Sequence, residues 1–431
     1  MDPPPASPSQ KPPVRRLRPL DLGRVPRALQ ADRAWAFARG LPEGARDPAF
    51  HAFVQRVDGS PWHALDTIAV YEDGAATFSA IIAAIDDARE EVLLETYILR
   101  DDRIGTRLGT ALRDAVARGV RVHVLADAVG SIGTSRAYWR TLRAGGIQVR
   151  LFHPWWHSPL HAWRRDHRKI IVVDRAIAFA GGMNIGEEYG TSAVTPGRGP
   201  FRDTFARVTG AVSRELAAVF AEGWERAGGA PIPGVPPVSR VISLAPLPPA
   251  SRVLILDARP GRGQPETIAV LAALVGAARE RLWITTPYFA PPDGGLAILG
   301  EAAQRGVDVR LLLPGRSDVP IVRHAAHGSY ETLLRAGVRV FEYQPAVLHA
   351  KTMVCDGALA VIGSANLDFR SLWFNAECNL LVGDDATVAS LARQFEADLA
   401  ASVEITAAMW RRRGWWHRAL DRVARGLRVV L

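Results

Sequence analysis

Two histidine–lysine pairs are the residues of this chain best suited to chemistry, because each pair stands in a copy of the same longer pattern. The first copy reads HRKIIVVDRAIAFAGGMN from His167 to Asn184, and the second reads HAKTMVCDGALAVIGSAN from His349 to Asn366. Imidazoles act as nucleophiles or as acids and bases, while ammonium and amide groups hold phosphoryl oxygens. The sequence therefore predicts an enzyme that cleaves or exchanges phosphodiesters at one site assembled from both copies.

Each copy predicts a strand, a tight turn, a second strand and a glycine-containing loop. Side chains alternate along a strand, so the histidine and the lysine two residues later face one ligand, whereas Asp174 and Asp356 face away and support the turns. The predicted phosphate contacts are Lys169, Lys351, Asn184, Asn366 and, through close approach of the backbone, Gly182 and Ser364. Because lysines can supply the positive charge that Mg²⁺ supplies elsewhere, we expect no metal ion and no cofactor.

The elements that position these residues also occur twice. In each half a helix-like segment leads to an apolar strand, TFSAIIAAIDDARE before EVLLETYIL and TIAVLAALVGAARE before RLWITTPYF. This alternation predicts an α/β fold, in which two fused α/β/α repeats with mixed, largely parallel sheets form one pseudo-twofold active site. We assign residues 51–227 and 252–400 to the repeats, and the Pro/Gly-rich residues 228–251 to a linker.

The two ends of the chain differ from the repeats. Residues 1–50 are rich in Pro, Ala and Arg without a sustained period, which predicts a disordered basic tail. Residues 401–431 predict a basic amphipathic helix with one apolar stripe, typical of a helix that lies in an anionic membrane interface. Its predicted membrane contacts are Trp410, Trp415, Trp416 and Arg418. The alternative is a helix docked on the core of the protein with a solvated basic face.

The composition of the chain indicates which binding partner and which cellular compartment to expect. The chain has 431 residues, and its formal charge of +9 indicates a polyanionic partner, either nucleic acid or an anionic membrane surface. Its two cysteines, Cys355 and Cys378, predict neither a disulfide framework nor a metal cluster, which suits a reducing compartment. No segment approaches the roughly 18 to 20 apolar residues that a membrane span requires, and the first residues lack a signal-peptide pattern.

The duplicated pattern resembles the signature of the phospholipase D superfamily, His-x-Lys-x4-Asp-x6-Gly-Gly/Ser-x-Asn. The resemblance places Asp174 and Asp356 at the aspartate position of this catalytic motif. Through the runs ETYIL, RRDHRK, GGMNIG, FRDTFARVTG and IGSANLDFRSLWFNAE, the chain looks most like the bacterial cardiolipin synthases. The resemblance covers about residues 51 to 410 and implies phospholipase D-like repeats. Such synthases often carry two N-terminal membrane-spanning helices, so this chain resembles a shorter, peripheral branch.

The resemblance also implies roles for individual residues. By analogy with the family, His167 is the nucleophile that forms a phosphohistidine, and His349 protonates the leaving alcohol and then deprotonates the incoming one. Glu377 and Asp203 match the carboxylates that orient the histidines.

The resemblance implies a cardiolipin synthase-type phosphatidyltransferase that moves a phosphatidyl group between phospholipids and releases a small alcohol such as glycerol. Its expected partners are anionic phospholipids, namely phosphatidylglycerol and cardiolipin, at the cytoplasmic face of a bacterial cell membrane, to which it binds peripherally. We expect no specific nucleic acid partner, and a monomer suffices because one chain carries both motifs. Lipid hydrolysis and a nuclease or DNA phosphodiesterase of the same superfamily remain alternatives. A non-catalytic membrane scaffold is disfavoured because both motifs are intact.

Overall fold

The structure is a computed structural model that describes residues 27–153, 163–190, 200–239, 251–259 and 265–427. Its helices are α1 (Arg27–Arg39), α2 (Pro48–Asp58), α3 (Gly74–Asp86), α4 (Arg103–Ala117), α5 (Arg136–Ala144), α6 (Ala211–Arg226), α7 (Pro265–Ala277), α8 (Asp293–Gln304), α9 (Pro320–Arg335), α10 (Phe369–Trp373), α11 (Asp385–Ala400), α12 (Ala407–Arg411) and α13 (Trp415–Gly426), with short 3₁₀ helices at Gly44–Arg46 and Glu187–Tyr189.

The strands of the described residues form two large sheets and one small ribbon. They are β1 (Trp62–Ala64), β2 (Ile68–Tyr71), β3 (Glu91–Thr96), β4 (Arg121–Asp127), β5 (Gln148–Phe152), β6 (Ile170–Val173), β7 (Ile177–Gly181), β8 (Phe205–Thr209), β9 (Arg252–Ala258), β10 (Arg281–Thr285), β11 (Phe289–Ala290), β12 (Asp308–Pro314), β13 (Arg339–Tyr343), β14 (Thr352–Cys355), β15 (Leu359–Gly363), β16 (Leu367–Asp368), β17 (Glu377–Gly383) and β18 (Ser402–Ile405).

The two large sheets confirm the predicted repeat, because their strands follow the same order. The first sheet runs β2-β8-β7-β6-β3-β4-β5, and the second contains β9-β17-β15-β14-β10-β12-β13, extended at its edges by β1 and β18. Both sheets are mixed, as predicted, but the expectation that they are largely parallel is wrong. Only β3, β4 and β5, and their counterparts β10, β12 and β13, pair in parallel within these strand sets. The motif hairpins β6–β7 and β14–β15 make the other half of each sheet antiparallel.

A shared hydrophobic core joins the repeats. Helices α6 and α11 pack between the two sheets, where Phe220 and Leu391 belong to one cluster with Val172 of the first sheet and Leu380 of the second. Helices α3 and α4 cover the outer face of the first sheet, and α7, α8 and α9 cover that of the second. Every residue of β3 and β17 is buried, as expected for strands that are covered on both faces. The histidine motifs therefore stand on rigid central strands.

The N-terminal boundary of the folded region differs from the prediction. Helices α1 and α2 are folded, and Ala34, Ala38 and Phe50 are fully buried in the core beneath α7. A Cβ atom at Gly276 of α7 would lie 2.4 Å from the Trp35 carbonyl oxygen, so the small residue lets α1 approach closely. The buried face of α1 consists of alanines, so the helix has only a weak amphipathic pattern in the sequence. The prediction of a disordered tail for residues 27–50 is wrong for this reason. Residues 1–26 lie outside the described residues.

The C-terminal boundary is also displaced. Strand β18 pairs antiparallel with β13, so the second sheet continues past residue 400. Between residues 406 and 427 the chain forms two helices, α12 and α13, rather than one, since it turns at residues 412–414. Residues 428–431 of the predicted helix lie outside the described residues. No helix in the described ranges is long and apolar enough to cross a bilayer.

The motif aspartates hold the tight turns at the far ends of the motif strands. Asp174 has a φ of 50° and its carboxylate accepts the backbone N–H groups of residues 89–91 at 2.8 to 2.9 Å. Asp356 has a φ of 52° and accepts those of residues 279–281 at 2.8 to 3.0 Å. Each aspartate thus ties its motif hairpin to the start of the neighbouring strand, β3 or β10, and does not face the histidines.

Replacement of Asp356 by alanine should lower the free energy of unfolding by about 2 to 4 kcal/mol, because three backbone donors lose a charged acceptor. Urea unfolding followed by circular dichroism measures this change. Asp86→Ala, at an exposed position near the end of α3, is the matched control and should shift stability by no more than about 0.5 kcal/mol. Equal transition midpoints for the two variants would contradict the assigned role.

Candidate active site

The two motif histidines lie at the junction of the repeats, where each enters its strand. The backbone N–H of His167 donates to the carbonyl of Ala376 at 2.9 Å, and Ala376 N–H donates to the carbonyl of Arg165 at 2.8 Å. The second copy repeats this pattern, since His349 N–H donates to the carbonyl of Arg202 at 2.7 Å. Each histidine segment is therefore paired with a segment of the other repeat, and one site contains both.

The histidine–carboxylate pairs cross between the repeats. His167 Nδ1 lies 3.0 Å from Glu377 Oε2, and His349 Nδ1 lies 2.6 Å from Asp203 Oδ2. All four side chains are buried. A carboxylate beside Nδ1 favours the tautomer with a proton on that nitrogen, so Nε2 of His167 keeps a lone pair for the reacting centre. Both ring nitrogens of His349 also lie near Lys351 Nζ, at 2.6 Å for Nδ1 and 3.2 Å for Nε2. The geometry thus matches the orienting roles expected for Glu377 and Asp203.

Ser364 and Gly182 occupy matching motif positions and both accommodate these carboxylates. The Ser364 hydroxyl donates to Glu377 Oε2 at 2.5 Å and accepts the Cys378 N–H at 3.0 Å. The residue is fully buried and its hydroxyl holds Glu377, while the close approach of its backbone to phosphate stays a prediction. A Cβ atom at Gly182 would lie 2.2 Å from Asp203 Oδ1. The glycine therefore makes room for the carboxylate, and its predicted approach to phosphate stays a prediction.

The motif lysines place two ammonium groups in the buried site. Lys169 Nζ donates to the carbonyl of His167 at 2.7 Å and lies 5.4 Å from the centre of the Tyr97 ring. Lys351 Nζ donates to the carbonyl of His349 and lies 3.7 Å from Asp203 Oδ2. The chain contains only three lysines among its 53 lysines and arginines, and two of them are these. A compact ammonium, rather than a planar guanidinium, is thus kept at both motif positions.

Burial controls the protonation of the site. It lowers the pKa of His167 to about 4 against the opposing effect of Glu377, and it lowers the pKa of His349 as well. Both imidazoles are therefore neutral at pH 7, as a nucleophile requires. Burial also lowers the pKa of Lys169 to about 7. A phosphodiester anion would restore positive charge on these groups, because a nearby opposite charge favours the protonated form.

The two motif asparagines have different surroundings. Asn184 accepts the Ile98 N–H at 3.2 Å and donates one amide N–H to the Tyr189 hydroxyl at 2.9 Å. It therefore supports Tyr189, whose hydroxyl lies 3.2 Å from His349 Nδ1, and its predicted contact with phosphate stays a prediction. Asn366 is also buried, and its side-chain oxygen has no hydrogen-bond partner within the described structure. That oxygen is an acceptor, so the predicted donation of the Asn366 amide N–H to a phosphoryl oxygen stays a prediction.

Aromatic residues line both histidines and were not predicted as site residues. The Tyr97 ring lies 4.9 Å from that of His167, and the Tyr288 ring lies 6.1 Å from that of His349. The Tyr288 hydroxyl donates to Asp318 at 2.6 Å. Their matching positions in the two repeats could have identified them, because each tyrosine follows the first central strand of its repeat, in ETYIL and TTPYF.

Arg168 separates the catalytic pair His167–Lys169 and points to the opposite side of the strand. Its guanidinium contacts Asp257 at 2.6 Å and Glu95 at 3.6 Å, and all three side chains are about 1 % exposed. Asp257 belongs to β9 of the second repeat, so this buried ion pair fixes the first motif against the other half of the molecule.

The predicted membrane contacts separate into buried and exposed residues. Trp410 is only 8 % exposed and packs on Tyr330 at 4.7 Å between ring centres, so its assignment to a membrane surface is wrong. Trp415 and Trp416 are 64 % and 70 % exposed, and Arg418 is exposed beside them. The remaining exposed apolar residues of this stripe are Leu420, Val423 and Leu427.

Helix α13 is docked through its single acidic residue. Asp421 accepts from Arg413 at 2.6 Å and lies 2.9 Å from His324 Nδ1 on α9. His327 also approaches this carboxylate, at 3.7 Å, and lies 3.0 Å from Glu342 through its other nitrogen. The helix is therefore docked on the protein through its polar side, while its tryptophan-bearing stripe remains in solvent.

The fold and the paired motifs define an enzyme of the phospholipase D superfamily. The chain matches the family described as "Cardiolipin synthase, PLD-like domain" over residues 81–191 and 271–399, which together make up more than half of its length. The chain belongs to this cardiolipin synthase family and is a phosphatidyltransferase by class.

Individual relatives agree with this assignment. The chain is 38 % identical over 381 residues to cardiolipin synthase A of Pseudomonas fluorescens, with 87 % of this chain and 74 % of the relative covered. It is 32 % identical over 392 residues to a cardiolipin synthase of Halalkalibacterium halodurans, covering 90 % and 77 %. Its fold is similar to that of a phosphatidylserine synthase crystal structure from Haemophilus influenzae, with a TM-score of 0.70 and 14 % identity over 88 % of this chain and 98 % of that one.

Replacement of Glu377 by glutamine should lower kcat for phosphodiester turnover by about 10³- to 10⁴-fold, because the amide no longer fixes the reactive tautomer of His167. Steady-state kinetics on a soluble nitrophenyl phosphodiester measure this loss. The matched control is Glu342→Gln, which alters another buried glutamate–histidine pair and should leave kcat unchanged. Similar kinetics for the two variants would refute the positioning role.

Proposed function

We propose that the protein is a cardiolipin synthase that transfers a phosphatidyl group from one phosphatidylglycerol molecule to another. The observation that carries this proposal is the pair of crossed histidine–carboxylate contacts, His167 with Glu377 and His349 with Asp203. They set two neutral imidazoles beside two lysines in one buried site, which suits two successive displacements at phosphorus. The similarity to cardiolipin synthases along most of the chain supports the choice of lipid.

In the first step of the proposed reaction, Nε2 of His167 attacks the phosphorus and the bond from phosphorus to the headgroup oxygen breaks. Protonated His349 gives its proton to that oxygen, and glycerol leaves. Bound phosphate makes this protonation possible, since its negative charge raises the low pKa of His349. Lys169 and Lys351 stabilise the charge that develops on the non-bridging oxygens.

In the second step, the free glycerol hydroxyl of another phosphatidylglycerol gives its proton to His349. Its oxygen attacks the phosphohistidine, the nitrogen–phosphorus bond breaks, and cardiolipin forms with His167 regenerated. Water in place of the lipid hydroxyl would yield phosphatidic acid. Burial of both histidines disfavours bulk water at the intermediate, which supports transfer over hydrolysis.

The proposed reaction predicts that phosphatidylglycerol vesicles yield cardiolipin and glycerol in equal amounts. His167→Ala and His349→Ala should abolish this conversion, whereas His123→Gln, at a buried histidine of β4 outside the site, should retain it. Mass spectrometry of the lipids measures the products. Phosphatidic acid as the main product would establish a hydrolase, and DNA cleavage without lipid turnover would establish a nuclease.

A second assay separates the roles of the histidines. A nitrophenyl leaving group needs no acid, so His349→Ala should still form the phosphohistidine at His167 and then stall. Intact-protein mass spectrometry at mildly basic pH would detect the adduct. An adduct formed by His167→Ala instead would reverse the assignment of nucleophile and acid.

We also propose that the protein binds peripherally to the cytoplasmic face of the cell membrane through helix α13. The exposed Trp415 and Trp416, stacked at 3.7 Å between ring centres, extend the apolar stripe of a helix rich in arginine. This arrangement supports insertion of the stripe at the acyl boundary while guanidinium groups contact lipid phosphates.

The double variant Trp415→Ala/Trp416→Ala should weaken binding to phosphatidylglycerol vesicles by about tenfold or more, because two large apolar anchors are removed. Vesicle flotation at low salt measures the bound fraction. Ile132→Ala, which truncates a residue that is 69 % exposed on another surface, should bind as the unchanged protein does. Equal flotation of both variants would exclude α13 as the anchor.

A further inference from the structure

An apolar cavity of about 300 Å³ lies in the second repeat, between helices α1, α7 and α8 and the sheet. Residues Ile268, Leu271, Ala272 and Val275 of α7 recur at three- and four-residue steps along its wall. The volume falls at the lower end of the range for ligand pockets. Its lining is almost wholly hydrocarbon, so a ligand of matching chemistry is an apolar chain.

The cavity shares its walls with the active site. Met353 lines the cavity and lies on β14 two residues after Lys351, so the two side chains share a face about 7 Å apart. Leu367, another lining residue, directly follows Asn366. An acyl chain in the cavity would therefore lie close to Lys351 and Asn366, the predicted phosphate-binding residues.

The ribbon of β11 and β16 forms the partition between the two compartments. Phe289 pairs with Leu367 across this ribbon, and both line the cavity. Tyr288, the residue before Phe289, approaches the ring of His349 on the active-site side. Tyr288, directly before the strand, thus lies on the active-site side, and Phe289, the first residue of the strand, lines the apolar cavity.

We propose that this cavity holds one acyl chain of the donor phospholipid whose phosphate lies between His167 and His349. A buried cationic site next to an apolar cavity has the polarity pattern of a single phospholipid, with an anionic phosphate joined to hydrocarbon. This inference rests on the proposed function, because it places a lipid phosphate at the histidines.

Helix α1 gives the cavity its outer wall. Ala31 and Asp32 of this helix line the cavity, and Asp32 is exposed to solvent. The segment therefore contributes to the cavity in addition to packing on α7.

The test compares substrates that differ only in chain length. Leu271→Trp fills the cavity and should lower kcat/KM for dioleoyl phosphatidylglycerol by about tenfold or more, because several methylene groups lose their apolar contacts. Turnover of dihexanoyl phosphatidylglycerol should change much less. Ala297→Trp, which adds the same side chain at an exposed position of α8, is the matched control and should affect neither substrate.

Ile298→Phe on α8 is a second variant that fills the cavity, and it keeps the test valid if Leu271→Trp does not fold. Thermal unfolding is recorded for all variants. An equal loss for long and short chains, or no loss in either filling variant, would overturn the inference while leaving the proposed transfer intact.

A binding measurement makes the test independent of turnover. The fluorescent fatty acid cis-parinaric acid should bind the unchanged protein and Ala297→Trp, but not the two filling variants. Equal binding by all four proteins would overturn the assignment of the cavity. If the unchanged protein binds the probe but does not convert phosphatidylglycerol, the proposed function fails and the cavity remains an acyl-chain site.

Discussion

The contact on which the rest of this structure depends is the exchange of carboxylates between the two repeats. Each repeat supplies a histidine whose orienting acid comes from the other one, so neither half contains a complete reactive unit. Such an exchange requires that the two sheets meet within hydrogen-bond distance at the motif segments. The backbone bridges at Asp166 with Ala376 and at Arg202 with Leu348 meet this requirement directly.

Burial gives the site its chemistry and also creates its main energetic problem. Two imidazoles, two ammonium groups and two carboxylates are removed from water together, which is costly unless opposite charges are paired. The carboxylates remain ionised because histidines and lysines oppose the effect of burial on them, and the pKa of both Glu377 and Asp203 is lowered. The cost of burial therefore falls on the histidines and lysines, whose pKa values are lowered. An anionic substrate would favour the protonated forms of these groups, so binding of phosphate and protonation of the site are coupled.

The sequence predicted the duplicated fold, the order of the strands within each motif and the single site that contains both motif histidines, since the spacing within each motif determines these features. It did not predict the use of Ser364, because that hydroxyl is directed by a carboxylate 13 residues later in the chain. The fold of α1 was also missed, since its buried face consists of alanines that carry little hydrophobic signal. Trp410 was placed on the membrane stripe by its spacing alone, whereas the turn after α12 rotates it into the core. Tertiary contacts decided each of these cases.

The scarcity of lysine in this chain gives the site an experimental advantage. Lys169 and Lys351 both lie beside the motif histidines, and the one other lysine is Lys11 in the N-terminal segment. Protein labelled with ¹³C and ¹⁵N only in lysine would therefore give a nearly empty NMR spectrum in which two signals come from the reaction centre. The protonation state of each ammonium group could then be followed in the protein of natural sequence as a lipid phosphate enters and leaves.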